Sequence, residues 1–358
     1  MDNNLNSQTY MPQLDSLRAF CVALVLCEHW ISEGYWFKII PFGMIGVTFF
    51  FVLSGFLITE ILIKGKIAIE QKSRNALTVF KNFYARRTLR IFPVYYLTII
   101  ILYAMNFEQI RGKVTWFLFY LSNIYFYLNQ SWDGALSHLW TLAVEEQFYL
   151  IWPLIILLVS RKKLLGTIII FLITGILFRG ILFTMSDNSP GAFNFISILT
   201  PSCIDSFALG GILAYYRIFG NSNFKFETIT FRFFLLINIA LMIFFLFQEE
   251  NLFSASLYRF NVSVVALYII SGMSLGYKGI LKKIFENKFL MYLGKISYGM
   301  YLFHKFIPVI YARSGFAEIS NLPIRLSVYL AMLIILSSLS WYLLEKPVNS
   351  LKKYFAYN

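Results

Sequence analysis

An all-α fold, a polytopic bundle of transmembrane helices, is predicted on three grounds. Of the 358 residues, 58% are hydrophobic and only 14% are charged, against about a quarter charged in a soluble domain. Apolar runs such as Phe42–Ile63, Leu139–Val159 and Pro323–Leu344 reach the roughly 20 residues that a bilayer-spanning helix needs. The basic residues are also unevenly distributed. They gather in alternate loops, as the positive-inside rule requires of a multi-pass protein.

Hydropathy places apolar segments in order near Ala23, Leu53, Ile99, Leu121, Ile151, Ile173, Leu209, Leu241, Leu267, Leu302 and Ile335. Charge decides which of them span. With Met1–Pro12 inside, the loop Lys64–Arg90 is also inside and carries Lys64, Lys66, Lys72, Arg74, Lys81, Arg86, Arg87 and Arg90. If the segment around Leu121 also spanned, Arg161-Lys162-Lys163 and Lys278–Lys288 would both fall outside. That segment, Trp116–Leu128, is also the most polar candidate, with Ser122 and Asn123 and a flanking Asn129. It is read as a re-entrant or interfacial helix on the outer side. About ten spanning helices remain, with both termini cytoplasmic. One membrane-embedded domain over 1–358 is expected, because no loop is long enough for a soluble one, and no small-residue cleavage site follows the first apolar stretch.

Composition removes several function classes. A net charge of +13 reads here as cytoplasmic loops facing anionic lipid, not as a nucleic-acid surface. Cys21, Cys27 and Cys203 lie in apolar segments without metal or disulfide spacing. The three histidines are scattered, no Walker or dinucleotide loop is present, and no metal site is expected. Internal repeats, which would favour an inverted-repeat transporter, are absent.

Ionisable groups inside a bilayer are costly and each needs a reason. The first helix carries Asp15, Arg18, Glu28 and His29. Arg18 and His29 have ten residues between them, so they share nearly one face about 16 Å apart along the axis. Arg18 falls near the cytoplasmic side, either as a functional cation or as a snorkelling anchor, and His29 toward the outer half. In the fourth span Glu145 and Glu146 lie about two turns below the outer surface, level with His29. Adjacent positions point about 100° apart, so one of them is expected to address His29 and the other an interior arginine such as Arg179. Asp205 sits mid-way in the sixth span. Tyr301, His304 and Lys305 climb one face of the ninth. A carboxylate beside an imidazole suits a general base acting on a hydroxyl; a structural ion-pair network is the alternative for the same acids. Arg87 and Arg90, three apart, are neighbours on one helix face, and together with Arg86 they suit phosphate recognition. Simple topological charge explains the basicity equally well.

These residues resemble a known family. Leu14-Asp15-Ser16-Leu17-Arg18-Ala19 followed by His29 is similar to the opening of acyltransferase family 3 membrane proteins, as is Gly46–Leu57 in the second span. The stretch Arg86–Pro93, Leu139–Pro153 with Val144-Glu145-Glu146-Gln147, Ile296–His304 and Glu345-Lys346-Pro347 follow in the family's order. The resemblance implies ten spanning helices and O-acyl transfer, usually O-acetyl, to cell-envelope or exported carbohydrates or glycolipids. It further implies acetyl-CoA or another acyl-CoA as co-substrate, the histidine matching His29 as catalytic group, and an arginine pair matching Arg87 and Arg90 at the nucleotide end. The chain is similar to stand-alone members without a hydrolase-like domain, for which a separate partner protein or a homo-oligomer is open. Combined with the charge pattern, Glu145 and Glu146 are expected to assist His29, Arg18, Arg86, Arg87 and Arg90 to hold the donor, and Arg179, Asp205, Tyr301, His304 and Lys305 to meet the acceptor. Direct transfer and an acyl-histidine relay both fit. The expected location is the inner, cytoplasmic membrane. A transporter or flippase for a polar solute, with the same charges lining its path, and a non-catalytic scaffold are the rival classes.

Overall fold

A computed structural model describes residues 10–31, 39–186, 191–220, 229–315 and 318–357. The described residues are helical throughout, with no strand. The chain starts with α1 (Pro12–Trp30), α2 (Phe42–Glu70) and α3 (Ala76–Ala104). Two short helices follow, α4 (Val114–Leu118) and α5 (Ser122–Asn129), then α6 (Trp140–Leu158), α7 (Arg161–Met185) and α8 (Ala192–Ile196). The later part comprises α9 (Thr200–Phe219), α10 (Ile229–Leu246) and α11 (Leu252–Leu275). After α12 (Gly279–Phe285) come α13 (Lys288–Lys295), α14 (Ser297–Phe303), α15 (Phe306–Arg313), α16 (Leu322–Ser340) and α17 (Lys346–Ser350).

Among the described residues six helical runs are long and apolar enough to cross a membrane: Phe42–Glu70, Ala76–Ala104, Gly134–Leu158, Arg161–Met185, Leu252–Leu275 and Leu322–Phe355. They describe a multi-pass membrane protein. The other expected spans depart from that form. Helices α1 and α9, of 19 and 20 residues, both carry ionisable side chains: Asp15, Arg18, Glu28 and His29 on α1, and Asp205 and Arg217 on α9. The expected ninth span is broken into α13, α14 and α15, at Ile296 and again at His304–Lys305. The stretch expected to be re-entrant forms only the 5- and 8-residue helices α4 and α5, separated where Tyr120 adopts φ 53°. Neither is long enough to span.

Close backbone approach builds the centre. Gly55 on α2 faces the Phe207 carbonyl of α9, where an added Cβ would lie 2.1 Å from the oxygen, and Gly210 faces the Val52 carbonyl at the same distance. Only glycine allows this crossing, the small-residue packing familiar between membrane helices. Gly294 likewise lets α13 rest on the Asp15 carbonyl of α1. Beside the α2–α9 crossing, Phe51 and Phe148 each stack on Phe207, at centroid distances of 4.7 and 4.0 Å. Trp152 closes the layer and donates to Thr59 Oγ1 at 2.8 Å. On the outside, Ile170, Ile173, Leu177 and Ile181 of α7 and Ile335 and Leu339 of α16 are exposed. Such apolar outer faces suit lipid and not water.

Candidate active site

Helix α1 runs between two cavities, and its two singled-out residues open into different ones. Arg18 lines a cavity of about 410 Å³ and His29 one of about 770 Å³.

The smaller cavity is basic. Arg86, Arg87 and Arg90 of α3 project into it opposite Arg18, joined by Lys352 from the segment after α17. Arg18 is paired with Asp15 one turn earlier. Arg86 is committed to the C-terminal segment: it donates to the carbonyls of Lys352 at 3.0 Å and Phe355 at 3.3 Å, and lies 4.5 Å over the Tyr357 ring. Arg87 and Arg90 differ. Neither guanidinium has a carboxylate or carbonyl acceptor among the described residues, and the Arg87 Nε is buried without any partner. Arg87 lies over the rings of Phe83 and Tyr149, at 5.8 and 5.6 Å. Half-buried guanidiniums left without an acceptor form a ready site for an anion. The apolar floor of the cavity is Val47, Phe50, Phe51 and Leu53.

Glu145 opens into this basic cavity, not toward His29. Its carboxylate accepts from Ser54 Oγ and Tyr149 Oη, both at 3.2 Å. Glu146 lines neither cavity and keeps a buried Oε1 without a partner. The expected pairing of one acid with His29 therefore does not form. The reason is depth. A 3-10 turn, Gly134–Leu139, precedes α6 and carries His138 at the level of His304. Glu145 lies seven residues further on, about 10 Å along the helix.

The larger cavity holds His29 together with Glu28, Ser137, His138 and Lys305. All three histidines of the chain meet beside it: His304 lies 4.9 Å from His29 and 4.8 Å from His138, ring centre to ring centre. For His304 and His29 the hydrogen bonds assign the tautomer. His304 Nδ1 donates to the Tyr301 carbonyl at 2.6 Å, so its Nε2 is an acceptor. His29 Nδ1 lies 3.0 Å from the Val25 carbonyl and 3.1 Å from that His304 Nε2, so it carries the proton and donates. His29 Nε2 then holds a free lone pair in the cavity. The two ring nitrogens of His138 face the carbonyls of Ala135 at 2.9 Å and of Leu302 on α14 at 3.0 Å, and a neutral ring donates to one of the two. Lys305 donates to Ser137 Oγ at 2.6 Å, and Glu28 accepts from the Gly43 N–H at 3.2 Å.

Tyr301 and Val47 line both cavities. The Tyr301 hydroxyl accepts from Thr141 at 2.7 Å and donates to the His138 carbonyl at 3.2 Å, which fixes the ring in the partition. Arg179 and Asp205, expected at the acceptor, are instead fully buried against each other. They form two parallel hydrogen bonds of 2.9 and 2.7 Å, with further bonds from Arg179 to backbone carbonyls, and they line neither cavity. Residues not singled out from the sequence are Ser54, Tyr149 and Lys352 in the basic cavity, and His138, Tyr258 and Arg259 in the histidine cavity. The sequence signal available for Arg259 was an arginine in the middle of an apolar segment.

Comparison with known proteins places this geometry in a family. Residues 11–344 match the model described as an acyltransferase domain. Peptidoglycan O-acetyltransferase OatA of Listeria monocytogenes is 30% identical over 98% of this chain and 58% of its own length. A putative peptidoglycan O-acetyltransferase of Bacillus subtilis is 28% identical over 95% of the chain and 55% of its length. A putative O-acetyltransferase of Staphylococcus aureus is 28% identical over 94% and 57%. The chain thus spans a little over half the length of these relatives, and no solved structure matches it. With the family model covering nearly its whole length, the chain is a member of acyltransferase family 3.

Proposed function

We propose that this protein is an integral membrane O-acyltransferase that takes an acetyl group from acetyl-CoA, or a related acyl-CoA, and esterifies a hydroxyl of a cell-envelope glycan or glycolipid. The observation that carries the proposal is the arrangement along α1. An acceptor-less arginine pair lies in one cavity, a histidine with a free ring nitrogen lies in the other, and a single wall at Tyr301 and Val47 separates them. The printed names of the relatives favour acetyl as the group and a cell-wall polysaccharide as the acceptor.

In this reading the basic cavity faces the cytoplasm. There Arg87 and Arg90 hold the donor phosphates, with Arg18 beside them and Arg86 anchoring the C-terminal segment. The acyl-bearing arm lies along the apolar floor toward Tyr301. In the histidine cavity His29 Nε2 takes the proton of the acceptor hydroxyl as its oxygen attacks the thioester carbonyl. The new C–O bond forms, the C–S bond breaks, and the same proton passes to the departing thiolate, so free CoA leaves as the thiol. His304 replaces the carboxylate expected beside the base: its Nε2 accepts from His29 Nδ1 and supports the ring while it carries two protons. Glu145, held by Ser54 and Tyr149, sits at the donor end. Lys305 and Ser137 line the acceptor side with Trp132 and Trp140, whose broad amphipathic faces suit a sugar ring.

The same reading places both termini in the cytoplasm, takes about ten segments as crossing the inner, cytoplasmic membrane, and puts α4 and α5 at its outer side. Mass spectrometry of envelope glycans from cells with and without the protein, together with CoA release from the same membranes, tests the activity. Acyl esters lost with the protein, and CoA released only in its presence, support transfer. Unchanged ester content and no CoA release would refute it.

A further inference from the structure

Two arginines are completely buried among the described residues, Arg179 and Arg259, each 0% exposed. Their surroundings differ. Arg179 is neutralised by the fork of Asp205. Arg259, on α11, has no carboxylate partner among the described residues. It donates to the Ser197 carbonyl at 2.8 Å and to Cys203 Sγ at 3.3 Å, and its Nε has no acceptor. Breaking a buried ion pair by removing one partner is strongly destabilising, because the other charge is left uncompensated. Arg259 stands in that condition, and it opens onto the cavity that holds His29. The preceding residue repeats the pattern: Tyr258 lines the same cavity, and its buried hydroxyl has no hydrogen-bond partner among the described residues. Glu28 and Glu250 line the cavity too, yet neither forms a salt bridge with Arg259, and Glu28 is bonded to the Gly43 N–H.

Two adjacent orphan donors, one of them a guanidinium, require an acceptor that the described residues do not supply. A guanidinium fork suits a carboxylate or a phosphate. We infer that Arg259 and Tyr258 form an anion subsite beside His29, and that the acceptor is a carbohydrate bearing a carboxylate or phosphate close to the hydroxyl that is esterified. The inference rests on the reading of the histidine cavity as the acceptor side. Tyr258 and Arg259 are positioning residues here, since they hold the anion and not the reacting atoms.

The test uses the whole chain in lipid nanodiscs and three probes with one backbone: a neutral glucose tetrasaccharide, the same with one glucuronate, and the same with one 6-phosphate. Equilibrium binding of each probe, and separately of acetyl-CoA, is measured. A charged probe is expected to bind at least about tenfold tighter than the neutral one, and the stronger of the two arms identifies carboxylate or phosphate. Arg259→Gln should erase that preference and leave acetyl-CoA binding unchanged. Arg259→Lys should keep part of it, because charge remains without the fork. Tyr258→Phe, which removes one oxygen, should reduce it several-fold. Equal binding of the three probes by the unsubstituted protein overturns the subsite. If Arg259→Gln also loses acetyl-CoA binding, Tyr258→Phe decides: an undiminished preference there overturns it. Acyl transfer to neutral and charged probes alike would remove the subsite and leave the acyltransferase reading. Charge-dependent binding that vanishes in these variants, with no transfer to any probe, would do the reverse.

Discussion

Replacing Arg87 and Arg90 together with glutamine isolates donor recognition unusually well, because neither guanidinium bonds to an acceptor within the described protein. The change breaks no internal hydrogen bond or salt bridge and removes only the contacts of Arg87 with the Phe83 and Tyr149 rings, so a large effect reports on the ligand. A hydrogen bond to a charged group contributes about 1.5–3 kcal/mol. Both side chains are only half-buried, which argues for the lower end, about 1.5 kcal/mol or roughly tenfold in affinity each. The pair should therefore weaken acyl-CoA binding by about 100-fold if the two act independently. The value of kcat at saturating donor should change far less, since the thioester reacts beyond Tyr301. Lysine at both positions should recover only part of the loss, because it keeps charge without the planar fork. Purified protein in nanodiscs, titrated with acetyl-CoA and assayed for KM and kcat, gives both numbers. Unchanged donor affinity in the glutamine pair, or full recovery by lysine, would refute phosphate recognition and reduce these arginines to topological charge.

Three other outcomes are expected. His304→Ala should lower kcat by about 10²-fold or more with donor KM unchanged, since the ring supports His29 without lining either cavity; single-turnover transfer rates measure this. Arg179→Met alone should destabilise the protein by about 3–5 kcal/mol by stranding Asp205, whereas Arg179→Met with Asp205→Leu should recover much of that, and thermal unfolding in detergent distinguishes them. A reporter at Lys162 should behave as cytoplasmic and one at Gln130 as external; the opposite labelling contradicts the proposed topology.

Local pattern carried part of this structure. The eleven-position step from Arg18 to His29 depends only on helical geometry, and α1 does present the two residues to different cavities. Arg87 and Arg90 share a cavity because they sit one turn apart on an unbroken α3. The polarity of Trp116–Leu128 pointed to a segment that does not span, and the chain there forms two short helices. What was not legible depends on contacts between distant segments or on where a helix begins. His138 and His304 meet across 166 positions, from a 3-10 turn and a helix break that no periodicity announces. The start of α6 at Trp140 lowers Glu145 away from the histidines and into the basic cavity. Arg179 could have paired with any interior acid; only the crossing of α7 and α9, where Gly175 approaches Asp205, selects the partner. The missing partner of Arg259 is likewise a property of the assembled bundle.

Vectorial transfer by a His29→Ala variant bears most directly on the proposed chemistry. The protein is reconstituted in proteoliposomes, with labelled acetyl-CoA at the face bearing Arg87 and a glycan acceptor at the other. The unsubstituted protein should form labelled ester on the acceptor with matching release of CoA. The variant should bind donor with unchanged affinity and form ester at least about 10²–10⁴-fold more slowly, the usual span for loss of a general base. Ester formation by His29→Ala at the unsubstituted rate would contradict a base at this position.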